Sequence, residues 1–222
     1  PEETFSTYLY RGQNIEFIPF IPTLYRNNPS EVEIFLNRMR LVVFKHLLNS
    51  YPIIDGFFKK NHFFIDVEGL AQHYGLKTSV LDLTNSLEVA LFFATCYYDK
   101  SSNKYEYYVG NNIHHGILYV FDPYFDNEPV PPLHTEFLNG NIRPIGLQPF
   151  RRPAVQKGFS LRIKKGDSVK CYIYRFTFSS EDSKHYYDKF EGGSKLFIQD
   201  DIADKTLAIS KLLEFSYKTF DE

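Results

Sequence analysis

The chain has no tryptophan, and methionine and cysteine are scarce. Its 222 residues include one Met and two Cys. Two cysteines are too few for a disulfide framework, which favours a reducing compartment. No apolar run is long enough to cross a bilayer, and no charged segment followed by an apolar one opens the chain. We therefore predict a soluble, cytoplasmic protein with no membrane partner.

Several common site motifs are also absent. The chain has no Gly-x-x-x-x-Gly-Lys-Ser/Thr, Gly-x-Gly-x-x-Gly, Gly-x-Ser-x-Gly or His-Glu-x-x-His, which argues against the reaction classes that depend on them. The histidines and cysteines do not group at zinc spacings, so no metal site is predicted, and His114-His115 is interpreted as part of a surface loop. A net charge of −2 argues against a basic surface over the whole molecule but allows a local patch.

Local patterns predict helices in the first half of the chain. A short strand over 8–11 is expected to end at Gly12, which places Arg11 at the end of the strand. Ser30 and Glu33 form a capping-box pattern that opens a helix to about Asn49. Its buried face is predicted to hold six apolar residues, namely Val32, Phe35, Leu36, Met39, Val43 and Leu47.

The next segment predicts two further helices with a strand between them. Asp66 is expected to cap the first, and Gly75 to end it after a buried stripe of Val67, Leu70, Ala71 and Tyr74. A short strand or tight loop is predicted within 78–83. Asn85 and Glu88 then start an apolar helix through Tyr98.

Strands predominate in the remainder. Residues 100–112 and the prolines at 129–132 indicate loops, while 116–121 and 170–178 indicate strands. An amphipathic helix is predicted over about 202–215, with Ile202, Ile209, Leu212 and Leu213 as its apolar anchors. We predict a single domain over residues 1–222 of the α+β class, with helices packed on a mainly antiparallel sheet.

Three polar positions are candidates for a shared site. Arg11 offers a planar fork to a phosphate or carboxylate, and Gly12 lets a ligand approach the backbone; the alternative is a structural Arg tied to an acid. His73 is suited to proton transfer or to a ribose hydrogen bond, or else donates to the neighbouring loop. Asp82 either polarises a hydroxyl or caps the following helix.

A basic stretch occupies residues 151–170. It contains seven lysines and arginines against the single acid Asp167, which suits either a phosphate-binding edge or a solvated face. Within it, Arg152-x-x-x-Gln156-x-Gly158 includes a glutamine that can hydrogen-bond a ribose or a base without adding charge.

These motifs, in this order, resemble the FRG domain family. The family has a first-strand Phe/Tyr-Arg-Gly, here Tyr10-Arg11-Gly12. Its central Gln-His-x-Gly-Leu and Leu-Asp-x-Thr elements resemble residues 72–76 and 81–84, and its later Arg-x-x-x-Gln-x-Gly resembles residues 152–158. The chain departs from the family pattern at three positions, with Lys77 for Pro, Ser79 for Arg and Leu83 for Trp.

The Tyr-Arg-Gly strand is also similar to the first NAD-binding strand of Arg-type ADP-ribosyltransferases. The resemblance implies an ADP-ribosyltransferase-like fold that binds NAD and modifies a nucleic acid or protein acceptor, in the manner of some bacterial defence proteins and toxins. It implies three catalytic residues, Asp82, Gln156 and His73. It implies six residues that bind the cofactor, namely Arg11, Gly12, Gln13, Gln72, Thr84 and Arg152. The alternative is a non-catalytic module that recognises a nucleotide, RNA or a phosphorylated partner, with the acceptor or partner at the 151–170 stretch.

Overall fold

The computed structural model describes residues 8–17, 20–61, 65–122, 142–146, 150–164 and 171–212. The chain divides into two units. Unit 1 comprises residues 1–21 and 81–198, and unit 2 comprises residues 22–80 and 199–222. Each unit is therefore built from two separate segments of sequence. The prediction of a single domain stays a prediction.

Unit 1 contains the sheets. In chain order the strands are β1 (Leu9–Gln13), β2 (Val80–Thr84), β3 (Cys96–Asp99), β4 (Lys104–Tyr107), β5 (His114–Phe121), β6 (Ile142–Pro144), β7 (Gly158–Arg162) and β8 (Tyr172–Phe178). Six of them form one sheet in the order β6-β7-β2-β1-β5-β8, and β3 pairs with β4 in a separate hairpin. The pairings β1–β2, β1–β5, β5–β8 and β6–β7 are antiparallel. The first strand thus lies inside the sheet, between β2 and β5.

The helices divide between the units. Unit 1 holds α4 (Leu87–Thr95), α5 (Arg151–Val155) and α6 (Ser180–Lys189), and unit 2 holds α1 (Glu31–Asn49), α2 (Pro52–Asn61), α3 (Val67–His73) and α7 (Asp201–Lys211). Within unit 1, α4 contacts β1, β5 and α6. Within unit 2, α1 contacts α2, α3 and α7. This arrangement confirms the α+β class, with helices packed on a mainly antiparallel sheet.

Two hydrophobic clusters occupy unit 1. One lies on the sheet and includes Leu9, Leu83 and Tyr119, with Phe20 stacked on the Tyr119 ring at 4.2 Å. The other surrounds the buried Phe92 of α4, which lies 5.0 Å from the ring of Tyr105 in β4. In the described part of the chain, no helix combines the length and the apolar character needed to cross a bilayer. Cys96 and Cys171 are both free.

Most predicted helix boundaries are confirmed. Ser30 and Glu33 form both halves of the capping box of α1, which ends at Asn49. Asp66 caps α3 by accepting from the backbone N–H of Gly69, and Gly75 follows at φ +92°, a left-handed conformation that favours glycine. Of the anchors predicted for the last helix, Ile202 and Ile209 are buried, Leu212 is exposed, and Leu213 lies outside the described residues.

The predicted face of α1 was wrong. The structure buries Ile34, Asn37, Phe44 and Leu48, which lie on the other side of the helix. Most of the predicted stripe is exposed, with Val32, Phe35, Met39 and Val43 at 37% exposure or more. The two faces are similarly apolar, so periodicity alone selected the wrong one.

Several strand assignments also needed correction. Arg11 lies in the middle of β1, since the strand continues through Gly12 to Gln13. The helix that begins after Ser86 ends at Thr95, and the chain continues as β3. Part of the predicted loop at 100–112 is β4, which pairs with β3 through its backbone and packs on α4 and α6. His114 and His115 lie in β5 and not in a surface loop. The prolines at 129–132 lie outside the described residues.

Candidate functional site

Arg11 is held between two neighbouring strands. It lies opposite Tyr119 of β5, and its Nη1 donates a hydrogen bond of 2.8 Å to the carbonyl oxygen of Asp82 in β2. Burial lowers the pKa of the Arg11 guanidinium, whereas the charges of Asp82, Tyr119 and Tyr105 act in the opposite direction. The Nε atom is buried and has no hydrogen-bond partner among the described residues. Arg11 therefore combines a structural bond with one buried donor that has no partner in the described chain.

Gln13 presents a second buried polar atom without a partner. Its side chain is 6% exposed, and within the described chain its Oε1 accepts no hydrogen bond. Gln13 lies two positions after Arg11 in the same strand, so both side chains project from the same side of β1. Buried polar atoms without partners are rare in folded proteins. One donor and one acceptor thus stand unmatched along the same side of one strand.

The structure gives Gly12 a packing role. A Cβ at this position would lie 1.7 Å from the carbonyl oxygen of Ala90 in α4. Glycine is therefore required for α4 to approach β1. On this side, the helix fills the space beside the α-carbon of Gly12. The predicted contact between Gly12 and a cofactor stays a prediction.

Asp82 and Thr84 both lie in β2. Thr84 Oγ1 donates to the carbonyl oxygen of Gln156 at 2.7 Å and accepts from the backbone N–H of Ser86 at 3.0 Å. The N-cap of α4 is Ser86, which accepts from the backbone N–H of Val89. The alternative that Asp82 caps this helix is therefore wrong. Its carboxylate instead belongs to the charge environment of Arg11 and Tyr105.

Arg152 and Gln156 form a clamp on a neighbouring segment. Arg152 Nε and Nη2 donate to the carbonyl oxygen of Ile198 at 3.3 and 3.1 Å, and Gln156 Nε2 donates to that of Leu196 at 2.9 Å. The two side chains lie four residues apart and are 8% and 6% exposed. The Arg152 guanidinium also lies 5.9 Å from the centre of the Phe197 ring. We call this arrangement the Arg152–Gln156 clamp.

Gln72 and His73 belong to unit 2. Gln72 Oε1 accepts from Thr23 Oγ1 at 3.2 Å and from Thr78 Oγ1 at 2.6 Å, which ties the end of α3 to both threonines. His73 is the last residue of α3 and is buried. The structure therefore collects Arg11, Gln13, Asp82, Thr84 and the clamp in unit 1, and Gln72 and His73 in unit 2. The predicted roles of these residues stay predictions.

Comparison with known families agrees with the motif order. Residues 6–103 match the family model of the FRG domain. The chain carries an FRG domain. The match includes the Tyr10-Arg11-Gly12 strand and the central motif, whereas the Arg152–Gln156 clamp lies beyond it. No curated protein and no solved structure matches the chain, so its likeness to ADP-ribosyltransferases is not confirmed.

The three residues at which this FRG domain departs from the family pattern lie in different surroundings. Leu83 is 2% exposed and packs in the cluster with Leu9 and Tyr119, so this position serves the core. Ser79 donates to Glu68 Oε1 through both its backbone N–H and its hydroxyl, at 2.9 and 2.5 Å. Lys77 is exposed.

The basic stretch of this FRG-domain chain is described for residues 151–164. There, Arg151, Lys157, Arg162 and Lys164 are exposed, and Arg152 is buried in the clamp. Residues 165–170 lie outside the described part. No group of His, Cys, Asp and Glu side chains in the described chain is arranged to hold a metal ion.

The aromatic neighbours of Arg11 were not predicted from the sequence. Tyr105 and Tyr119 both contribute to its charge environment, and burial raises the pKa of each hydroxyl. The sequence predicts a strand around Tyr119, but nothing in it specifies that β5 pairs with β1. Tyr105 falls in the predicted loop, although Lys104–Tyr107 carries aromatic residues that favour strand formation.

Proposed function

We propose that Arg11 and Gln13 bind NAD and that the protein is an ADP-ribosyltransferase-like enzyme. The observation that carries this proposal is the pair of buried, unmatched atoms on β1, Arg11 Nε and Gln13 Oε1. Each unmatched group costs about 1–3 kcal/mol, a cost that a ligand with one acceptor and one donor removes. A dinucleotide offers phosphate oxygens as acceptors, and ribose hydroxyls and a carboxamide as donors.

The chemistry of the donor set agrees with this ligand in part. The Arg11 guanidinium supplies positive charge and a planar fork for a phosphate. The Asp82 carboxylate is suited to stabilise positive charge that develops on the ribose. Bound NAD would supply an ADP-ribosyl group, whose bond to nicotinamide breaks as a bond to the acceptor forms and the acceptor loses a proton. The proposal rests on Arg11, Gln13 and Asp82, because Arg152 and Gln156 already donate to backbone carbonyls.

Calorimetry with NAD on the full chain tests the binding step. We expect Arg11→Lys, which keeps the charge but removes Nε, to weaken binding by at least about tenfold. Arg175→Lys is the matched control, because this exposed arginine pairs with Glu16 at the protein surface. Mass spectrometry then follows nicotinamide release and ADP-ribose on added RNA or protein. Absence of NAD binding by the folded chain at millimolar NAD would refute the proposal.

A second candidate is a non-catalytic module that binds RNA or another phosphate-bearing ligand. The four exposed basic residues of the 151–164 segment favour it, as does the use of the Gln156 amide in the clamp. Binding of a labelled RNA should then fall steeply with salt and be lost in a variant carrying Arg162→Glu and Lys164→Glu. NAD turnover by the same protein would exclude a purely non-catalytic role.

A further inference from the structure

Helix α1 carries apolar side chains on two faces, and one of these faces is exposed. The buried face holds Ile34, Phe44 and Leu48. Helix α1 packs against α2, α3 and α7. The second face presents Val32 and Phe35 at 59% exposure each, Met39 at 37% and Val42 at 47%. A contiguous exposed apolar strip of this kind marks an interaction surface.

The spacing of the exposed residues is that of a helix-pairing seam. Val32, Phe35, Met39 and Val42 follow one another at intervals of three, four and three residues. Intervals of this kind place side chains at the a and d positions of a heptad, the positions that interlock between two paired helices. Val32 and Met39 are the a positions, and Phe35 and Val42 are the d positions. The 19 residues of α1 provide about 28 Å of helix for such a contact.

Charges beside the seam specify its partner and direction. Glu31, Arg38 and Lys45 are spaced by seven residues and exposed, so they occupy one flank of the seam, the g positions. In an antiparallel pair of identical helices, the g flanks face each other. Glu31 then meets Lys45 of the partner subunit, and the twofold axis repeats this pair. In a parallel pair the g flank would meet uncharged residues, Leu36 and Val43.

We propose that two copies of this chain associate through α1 in an antiparallel pair about a twofold axis. In this register Val32 packs against Val42 of the partner subunit, and Phe35 packs against Met39 of the partner subunit. Contact between methionine sulfur and an aromatic ring is favourable. Arg38 meets Arg38 of the partner subunit, and the repulsion between them opposes association.

The contact is small, so the dimer is weak and depends on concentration. One pair of helices buries less than the roughly 1,000 Å² typical of stable interfaces, which implies a dissociation constant on the order of 10 µM or weaker. The association uses unit 2 alone and does not depend on the proposed function.

Sedimentation equilibrium of the full chain over a range of concentrations tests the proposal. We expect a monomer–dimer equilibrium that Phe35→Glu weakens by at least about tenfold, because the variant places a charge in the seam. Leu207→Glu is the matched control, since Leu207 of α7 is also exposed, at 58%, but lies outside the seam. Circular dichroism melts establish that both variants remain folded.

Charge exchange tests the antiparallel register. Glu31→Lys alone and Lys45→Glu alone should each weaken the dimer, because each brings like charges together across the twofold axis. The double variant should restore association, and a mixture of the two single variants should form a heterodimer.

Three results would overturn the proposal. The first is a protein that stays monomeric up to about 1 mM, which lies far above the expected dissociation constant. The second is a dimer that Phe35→Glu leaves intact. The third is a dimer that Phe35→Glu dissociates but that is indifferent to the charge exchanges, which would exclude the antiparallel pair.

Discussion

Gly12 is the residue at which packing tolerates the least change. An added Cβ would lie 1.7 Å from the Ala90 carbonyl oxygen, so α4 would have to move away from β1. We expect Gly12→Ala to lower the free energy of unfolding by at least about 3 kcal/mol, the upper end of the usual cost of overpacking. Urea denaturation measures this change.

Gly56→Ala is the control, because no atom lies within 4 Å of its added Cβ. This substitution should stabilise α2 by about 0.5–1 kcal/mol. Equal effects of the two substitutions would contradict the packing argument.

Gln13 allows stability and binding to be separated at one residue. Its buried Oε1 has no partner among the described residues, so an apolar side chain of similar shape removes an unsatisfied acceptor. We expect Gln13→Leu to leave the free energy of unfolding unchanged or to raise it by up to about 1 kcal/mol. NAD binding should weaken at the same time, because leucine cannot accept the hydrogen bond that Gln13 Oε1 would accept from the ligand. Thermal denaturation with and without NAD measures both effects. A clear loss of stability without the ligand would assign Gln13 a purely structural role.

At the scale of elements, α5 is fastened to the segment at 196–198 by the Arg152–Gln156 clamp. Arg152→Ala removes two donors from the Ile198 carbonyl oxygen and leaves a cavity at a buried position. We expect a loss of about 2–4 kcal/mol in the free energy of unfolding, measured by urea denaturation. Arg151→Ala is the control on the same helix, because Arg151 is exposed and should change stability by less than about 0.5 kcal/mol. If Arg152→Ala weakened ligand binding and left stability intact, the residue would act in recognition and not as a clamp.

Local signals predicted the helices better than the strands. The capping box at Ser30 and Glu33 and the cap at Asp66 are read from neighbouring residues, so α1 and α3 begin where the sequence indicated. The capping box of α6 at Ser179 and Asp182 is a local signal of the same kind, but α6 was not predicted. The β3–β4 hairpin was missed because its strands are stabilised by pairing with each other and by packing on α4 and α6. The exposed face of α1 was taken for the buried one because both faces are apolar.

At the scale of the whole molecule, motif order predicted the family but not the architecture. The FRG match covers residues 6–103, which is under half of the chain. Arg11 and Asp82 meet because β1 pairs with β2 across a separation of 71 residues. Gln156 reaches Thr84 across 72 residues. Contacts of this range arise from the sheet order, which hydrophobic periodicity does not specify. Motif spacing also could not show that Arg152 and Gln156 hold backbone carbonyls.

The sheet order makes a prediction about which parts of unit 1 are needed for folding. β1 lies between β2 and β5, so residues 81–198 alone lack an interior strand. We expect this fragment to be unfolded, as measured by circular dichroism and by the dispersion of its amide NMR signals.

A circular permutation supplies the missing strand. Residues 8–21 are added after residue 198 through a Gly/Ser linker of about 20 residues, which has an average span of about 25 Å. The permuted chain should fold, because the two clusters around Tyr119 and Phe92 both lie within unit 1. Replacing Gly12 by Ala in the permuted chain should unfold it again, since β1 must lie against α4. A permuted chain that stays unfolded would show that unit 1 requires unit 2, as a single domain does.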